Sequence, residues 1–211
     1  MKVGILNYGA GNLRNVYRAV NYLGFEYVDV KKCSDFNNLD KLIIPGVGAF
    51  KVAMNQLHDN NLIESINDFS HEGMPIMGIC LGMQLLFSKS LEFGHSDGLD
   101  LIKGSVEHIR DQYELKSNSR IKVPHVGWSS LEFINNDKIY GAETDKIDCY
   151  FVHSFMACNV PNENILAMAN YSNLKIPALV KIRNTYGFQF HPEKSGKHGL
   201  EMIKKFMEYK F

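Results

Sequence analysis

Through its N-terminal half the chain alternates short, wholly apolar runs with stretches in which apolar residues recur at helical spacing. Val3-Gly4-Ile5-Leu6 gives way to Leu13, Val16, Tyr17, Val20 and Leu23, spaced three and four apart. Residues 27–30, 42–44 and 75–79 read as further buried strands, and residues 50–57, 62–69 and 81–88 as helices. Strands this apolar must be covered on both faces, and alternation with helices is how a parallel sheet achieves that. From about Ser105 the texture turns β-rich, with strands expected at residues 121–123, 131–134, 149–152, 166–169, 178–182 and 187–190. Residues 111–119 read as an exposed loop and residues 199–209 as a closing amphipathic helix. The pattern predicts one α/β domain over residues 1–211.

Composition narrows the function. Lys and Arg total 23 and Asp and Glu total 23, so no net field draws in nucleic acid or an anionic membrane. No apolar run reaches the ~18 residues of a membrane span, and Met1 leads straight into a strand without the charged and apolar regions of a signal peptide. A soluble cytoplasmic protein is expected. The cysteines, Cys33, Cys80, Cys149 and Cys158, include no C-x-x-C pair, which argues against a disulfide framework and against zinc. Gly9-x-Gly11 after the first strand resembles the start of a dinucleotide fingerprint, but Arg14 stands where the third glycine belongs. No cofactor and no metal are expected.

Three segments carry chemistry. In Gly78-Ile79-Cys80-Leu81-Gly82 an apolar strand turns into a helix through a cysteine between glycines, the grammar of a nucleophile elbow. The free N–H groups and dipole of the following helix favour a thiolate there. In Gly187-Phe188-Gln189-Phe190-His191-Pro192-Glu193 a strand runs into His-Pro-Glu. Extended residues two apart share a side, and Pro192 keeps the segment extended, so Glu193 is expected beside the imidazole of His191 as the orienting acid of a triad. The loop Pro45-Gly46-Val47-Gly48-Ala49-Phe50 offers backbone N–H groups around Val47 that, with the N–H of Leu81, could bind an oxyanion. Taken singly, each segment has a bland reading: a small buried residue, a satisfied histidine, an ordinary strand-to-helix connection.

Together they resemble the class I (triad) glutamine amidotransferases, along essentially the whole chain, and within them the glutaminase subunits of imidazole glycerol phosphate synthase. The narrower likeness rests on Asn7-Tyr8-Gly9-Ala10-Gly11-Asn12-Leu13, on Pro45 to Phe50, on Pro124-His125-Val126-Gly127-Trp128 and on Tyr150-Phe151-Val152-His153-Ser154-Phe155. The resemblance implies a flavodoxin-like three-layer sandwich with a mostly parallel central sheet and an added β-rich region. It implies that Cys80 attacks the side-chain amide of L-glutamine, with His191 and Glu193 completing the triad. Gly48, Gln84, Glu92, His153, Ser154 and Phe155 match glutamine-pocket positions. Asn12, Trp128, Tyr150 and Lys194 match positions near the docking face for a (βα)8-barrel synthase of HisF type. That partner takes up the ammonia and makes imidazole glycerol phosphate and aminoimidazole carboxamide ribotide.

Two departures bear on the partner: Val126 and Ser129 stand where the family commonly has Met and Asn, and Phe155 where Tyr is usual. Paralogous glutaminases serve other barrel synthases, including some in surface-carbohydrate amination. A cysteine-type α/β-hydrolase is a second alternative, disfavoured because that fold places its acid before its histidine whereas Glu193 follows His191. A non-catalytic scaffold is a third, opposed by competent residues at all three triad positions.

Overall fold

The computed structural model describes residues 1–9, 13–115, 117, 120–140 and 146–211. The chain begins β1 (Val3–Leu6), α1 (Leu13–Tyr22), β2 (Tyr27–Val30), β3 (Lys41–Gly46), α2 (Phe50–Asp59), α3 (Ile63–His71), β4 (Ile76–Cys80) and α4 (Leu81–Leu85). It continues with β5 (Phe87–Ser90), β6 (Ser96–Asp97), β7 (Ile102–His108), α5 (Ile109–Glu114), β8 (His125–Phe133), β9 (Asp148–His153) and β10 (Phe155–Cys158). It ends with β11 (Ile165–Tyr171), β12 (Leu174–Ile182), β13 (Thr185–Phe188) and α6 (Gly196–Glu208).

The main sheet has nine strands in the order β2-β1-β3-β4-β13-β12-β11-β8-β9. From β2 to β13 the neighbours are parallel, and from β13 to β9 they are antiparallel. β13 joins the two halves, with Gly187 opposite Gly78 of β4 on one side and Val180 of β12 on the other. The pleat divides the apolar strand residues between two cores. Val3, Ile5, Ile43, Met77 and Ile79 pack with α1 and α6, whereas Leu6, Leu42, Ile44 and Ile76 pack with α2 and α3. The result is helix, sheet, helix, as expected. In α6 the buried residues Gly199, Met202, Ile203, Phe206 and Met207 form one stripe, and its C-terminus is held by Lys41. The Lys41 Nζ donates to the carbonyls of Phe206, Met207 and Tyr209 at 2.7 Å each, a cation set against the negative end of the helix.

A smaller sheet, β10-β7-β5-β6, packs beside the first, and its strands were not expected from the sequence. The expected amphipathic helix over residues 81–88 is only five residues long and buried on every side, after which Phe87 begins a strand paired with β7. An apolar run this short does not reveal its period. Residues 121–123 form no strand; pairing starts at His125 and continues to Phe133. The polar residues 111–114 lie in α5 and not in a loop, with Ile109 as the helix's buried residue; residues 116, 118 and 119 of that stretch lie outside the described set.

Candidate active site

β4 ends at Cys80 and α4 begins at Leu81, with no loop between them. The reversal falls on Cys80 itself, at φ +54° and ψ −109°, a conformation that costs energy for any residue with a Cβ. The residues two places to either side have to be glycine. A Cβ on Gly78 would sit 2.7 Å from the Gly82 carbonyl oxygen, and one on Gly82 would sit 1.8 Å from that of Ile44. The turn thereby leaves the thiol at the carboxyl edge of the parallel strands, the side on which α/β folds place ligands.

His191 arrives from the other half of the sequence. β13 stops at Phe188, and Pro192–Lys194 forms a short 3-10 turn with proline leading it. The expected extended geometry is therefore incorrect, because a fixed φ near −65° suits the first position of a helical turn as well as a strand. The pairing is nevertheless made: Nδ1 of His191 lies 2.8 Å from Oε1 of Glu193, and each side chain is only 3% exposed. The turn is fastened to β9, since the His191 N–H donates to the Tyr150 carbonyl (2.9 Å) and the Tyr150 N–H to Ser195 Oγ (2.9 Å). Burial pulls the His191 pKa down, but hydrogen bonding to Cys80 and Glu193, with their negative charge, outweighs it and raises it to about 9. At neutral pH the ring is an imidazolium. Nε2 lies on the Cys80 side, near enough for the thiol to bias its titration, yet no fully formed hydrogen bond engages it among the described residues.

In front of Cys80 lies a cavity of about 480 Å³. Gly48, Gln84, Glu92, His153, Ser154 and Phe155 all line it, as do Val47 and Leu81. Phe93, Pro124 and Val152, which the sequence reading did not single out, line it too. His191 and Glu193 stand apart from this lining, beside a small void shared with Val16, Pro45 and Ile79. Volume and polarity suit an amino acid. Glu92 also braces the loop: its Oε2 accepts from the Phe50 N–H at 2.6 Å, so a carboxylate caps α2 just after the glycines.

In the cavity wall, His153 leads into a buried chain with His125. The Phe155 carbonyl can only accept, so the 2.8 Å contact fixes the proton of His153 on Nδ1. Nε2 of His153 then accepts from Nδ1–H of His125 (3.0 Å), and Nε2 of His125 accepts from the Ser129 hydroxyl (3.0 Å). His125 also stacks between Phe151 and Tyr171. Burial, aided by the charges of His125 and His191, lowers the His153 pKa to about 3, and burial lowers that of His125 to about 4. With both ring nitrogens occupied, His153 presents to the cavity its shape and backbone rather than a free imidazole.

Three of the four residues expected at a partner face come together. Trp128, 58% exposed, meets the Tyr150 ring edge to face at 5.9 Å, and the Lys194 ammonium lies 6.0 Å from the centroid of the same ring. Asn12, the fourth, lies outside the described residues.

A profile of the glutamine amidotransferase class-I family matches residues 4–209. The chain belongs to the class I glutamine amidotransferases. Relatives of this amidotransferase include the imidazole glycerol phosphate synthase subunit HisH of Lactococcus lactis, 42% identical over 207 residues that cover 98% of each chain. The HisH subunit of Oceanobacillus iheyensis is 37% identical over 206 residues, again 98% of each. A crystal structure of a glutamine amidotransferase superposes with a TM-score of 0.74 at 19% identity, covering 98% of this chain and 97% of the other, so the fold is shared. Among the described residues of this amidotransferase no helix is long and apolar enough to cross a membrane, and no His, Cys, Asp and Glu side chains group in a way that could hold a metal.

Proposed function

We propose that this chain is the glutaminase subunit of an imidazole glycerol phosphate synthase: it hydrolyses L-glutamine to L-glutamate and ammonia for a (βα)8-barrel synthase subunit of HisF type. The observation that carries the chemistry is the strained Cys80 beside a buried His191–Glu193 pair, at the head of a cavity of amino-acid size. Near 40% identity to HisH subunits across the full length supports the pathway.

Cys80, as thiolate beside the His191 imidazolium, attacks the amide carbon and forms the C–S bond. The carbonyl oxygen takes the negative charge, which the N–H groups of Val47 and Leu81 receive. As the C–N bond breaks, Nε2 of His191 passes its proton to the leaving nitrogen, and ammonia departs from a thioester. The now neutral imidazole takes a proton from water, whose oxygen attacks the thioester. Glutamate leaves, and thiolate and imidazolium are restored. Glu193 holds the ring throughout and favours its charged form.

Ammonia in bulk water at neutral pH is mostly ammonium and a poor nucleophile, so the reaction calls for a partner docked over the site. Trp128, Tyr150 and Lys194 offer an aromatic and cationic patch for it, and Asn12 belongs to the same surface in the family. The heterodimer works in histidine biosynthesis, in the cytoplasm, with no cofactor in the glutaminase half. Cys80→Ala in the complex should abolish glutamine-dependent synthesis of imidazole glycerol phosphate while leaving ammonia-dependent synthesis intact. Glutamine use surviving that change would refute the nucleophile assignment, and co-purification with a different barrel synthase would refute the pathway.

A further inference from the structure

Gln189 has no part in the mechanism above, yet it is wholly buried two residues before His191. Its Oε1 lies 3.2 Å from Nε2 of Gln84, on the cavity wall. The network fixes the sense of both amides. The Phe155 carbonyl can only accept, so the end of Gln84 that lies 3.0 Å from it is the nitrogen, and the atom of Gln189 facing that nitrogen is the oxygen. Both hydrogen bonds of Gln84 use Nε2, which leaves Oε1 as the polar atom Gln84 offers the cavity. Gln189 is left with a buried Nε2 that has no partner among the described residues. Such an orphan is destabilising, and a hydrophobic residue of the same length would avoid it.

We propose, on the glutaminase reading above, that Gln189 is a positioning residue: it locks the Gln84 amide with its carbonyl oxygen towards the α-ammonium group of bound glutamine. The position follows from the helix. Cys80 is the N-cap of α4 and Gln84 stands in the helix's last turn, about 5–6 Å further along at 1.5 Å per residue, and both line the cavity. With the substrate amide carbon at the Cys80 sulfur, a side chain one turn away meets the other end of the molecule, where the α-ammonium needs an acceptor. The Phe155 carbonyl already holds the Gln84 Nε2, and Gln189 adds a second acceptor for it, so that turning the amide over to present N–H to the cation forfeits two hydrogen bonds instead of one. Gln189 thus reinforces the hold of Phe155 and couples substrate capture to the segment that carries the base.

The test compares L-glutamine with glutaramate, its analogue without the α-amino group, as hydrolysed by the complex with the synthase. In Gln189→Met the ratio of kcat/KM for glutamine to that for glutaramate should fall about tenfold, the scale of one hydrogen bond to a charged group, mainly through a higher KM for glutamine. Because it is a ratio, any loss of folded protein cancels. Gln84→Met should lower it similarly, and the double variant no further. An unchanged ratio in Gln189→Met, or fully additive effects in the double variant, would overturn the proposal. A wild-type complex that releases no glutamate from glutamine would instead overturn the glutaminase reading.

Discussion

Two buried histidines lie near Cys80, one in the cavity wall and one behind it, and they hold different charge states. His191 is 2% exposed and His153 6%, so burial scarcely distinguishes them. Their partners do. His191 faces a carboxylate and a thiol, which outweigh burial and favour the imidazolium; His153 has no anion beside it, only a carbonyl and a second histidine, so burial prevails and keeps it neutral. In the proposed reaction one buried ring is a proton store and the other a strut, and the difference teaches that the charge of the neighbours, at equal depth, sets the state of a buried histidine.

Exchanging each ring should break the comparison most clearly. His191→Asn should lower the glutaminase kcat about 1,000-fold or more, measured on the complex by glutamate release. Glu193→Gln should cost roughly 100-fold and shift a pH profile. In the wild type, kcat/KM should fall as pH rises through about 9, where His191 loses the proton that ammonia needs; the variant's limb should lie at lower pH, since a bond and a charge that raise the pKa are gone. The stability His191 gains from its partners has the same sign: complete below its ordinary pKa of 6.5, lost as pH rises through about 9.

His125→Phe keeps a flat ring but strips the proton donor from His153. It should destabilise the fold by about 1–3 kcal/mol in urea titrations and slow catalysis far less than His191→Asn. The smallest effect is in acid. His125 and His153 titrate near 4 and 3 when folded and near 6.5 when unfolded, so the unfolded chain binds more protons and stability should decline as pH falls below 6.5. In His125→Phe that decline should be shallower, because one of the two groups is removed.

The parallel half of the sheet and the elbow were legible because their signals are local. Val3–Leu6 and Tyr27–Val30 carry their pattern on adjacent residues, and Gly78 and Gly82 announce a reversal that admits no side chain on either flank. His191 and Glu193 were readable as a pair from their spacing, although the turn between them was not, since proline suits either conformation. The second sheet was hidden because β5, β6 and β7 gain their order from one another rather than from any run of residues. The buried His125 link and the Gln84–Gln189 contact span 28 and 105 residues of sequence, so only the folded chain brings them together. Even so, Gln189 shares parity with His191, and in a segment that ends at the base that was a signal.

β13 lies in the middle of the sheet but is the last strand to leave the ribosome. Before residues 185–188 are made, β4 has a bare edge, the four antiparallel strands have nothing to join, and Cys80 ends a strand with no base beside it. A nascent chain thus carries a thiol it cannot use until residues 185–193 have followed it and folded against β4. The same order leaves an apolar strand edge uncovered for a time, open to edge-to-edge pairing with other chains on one polysome.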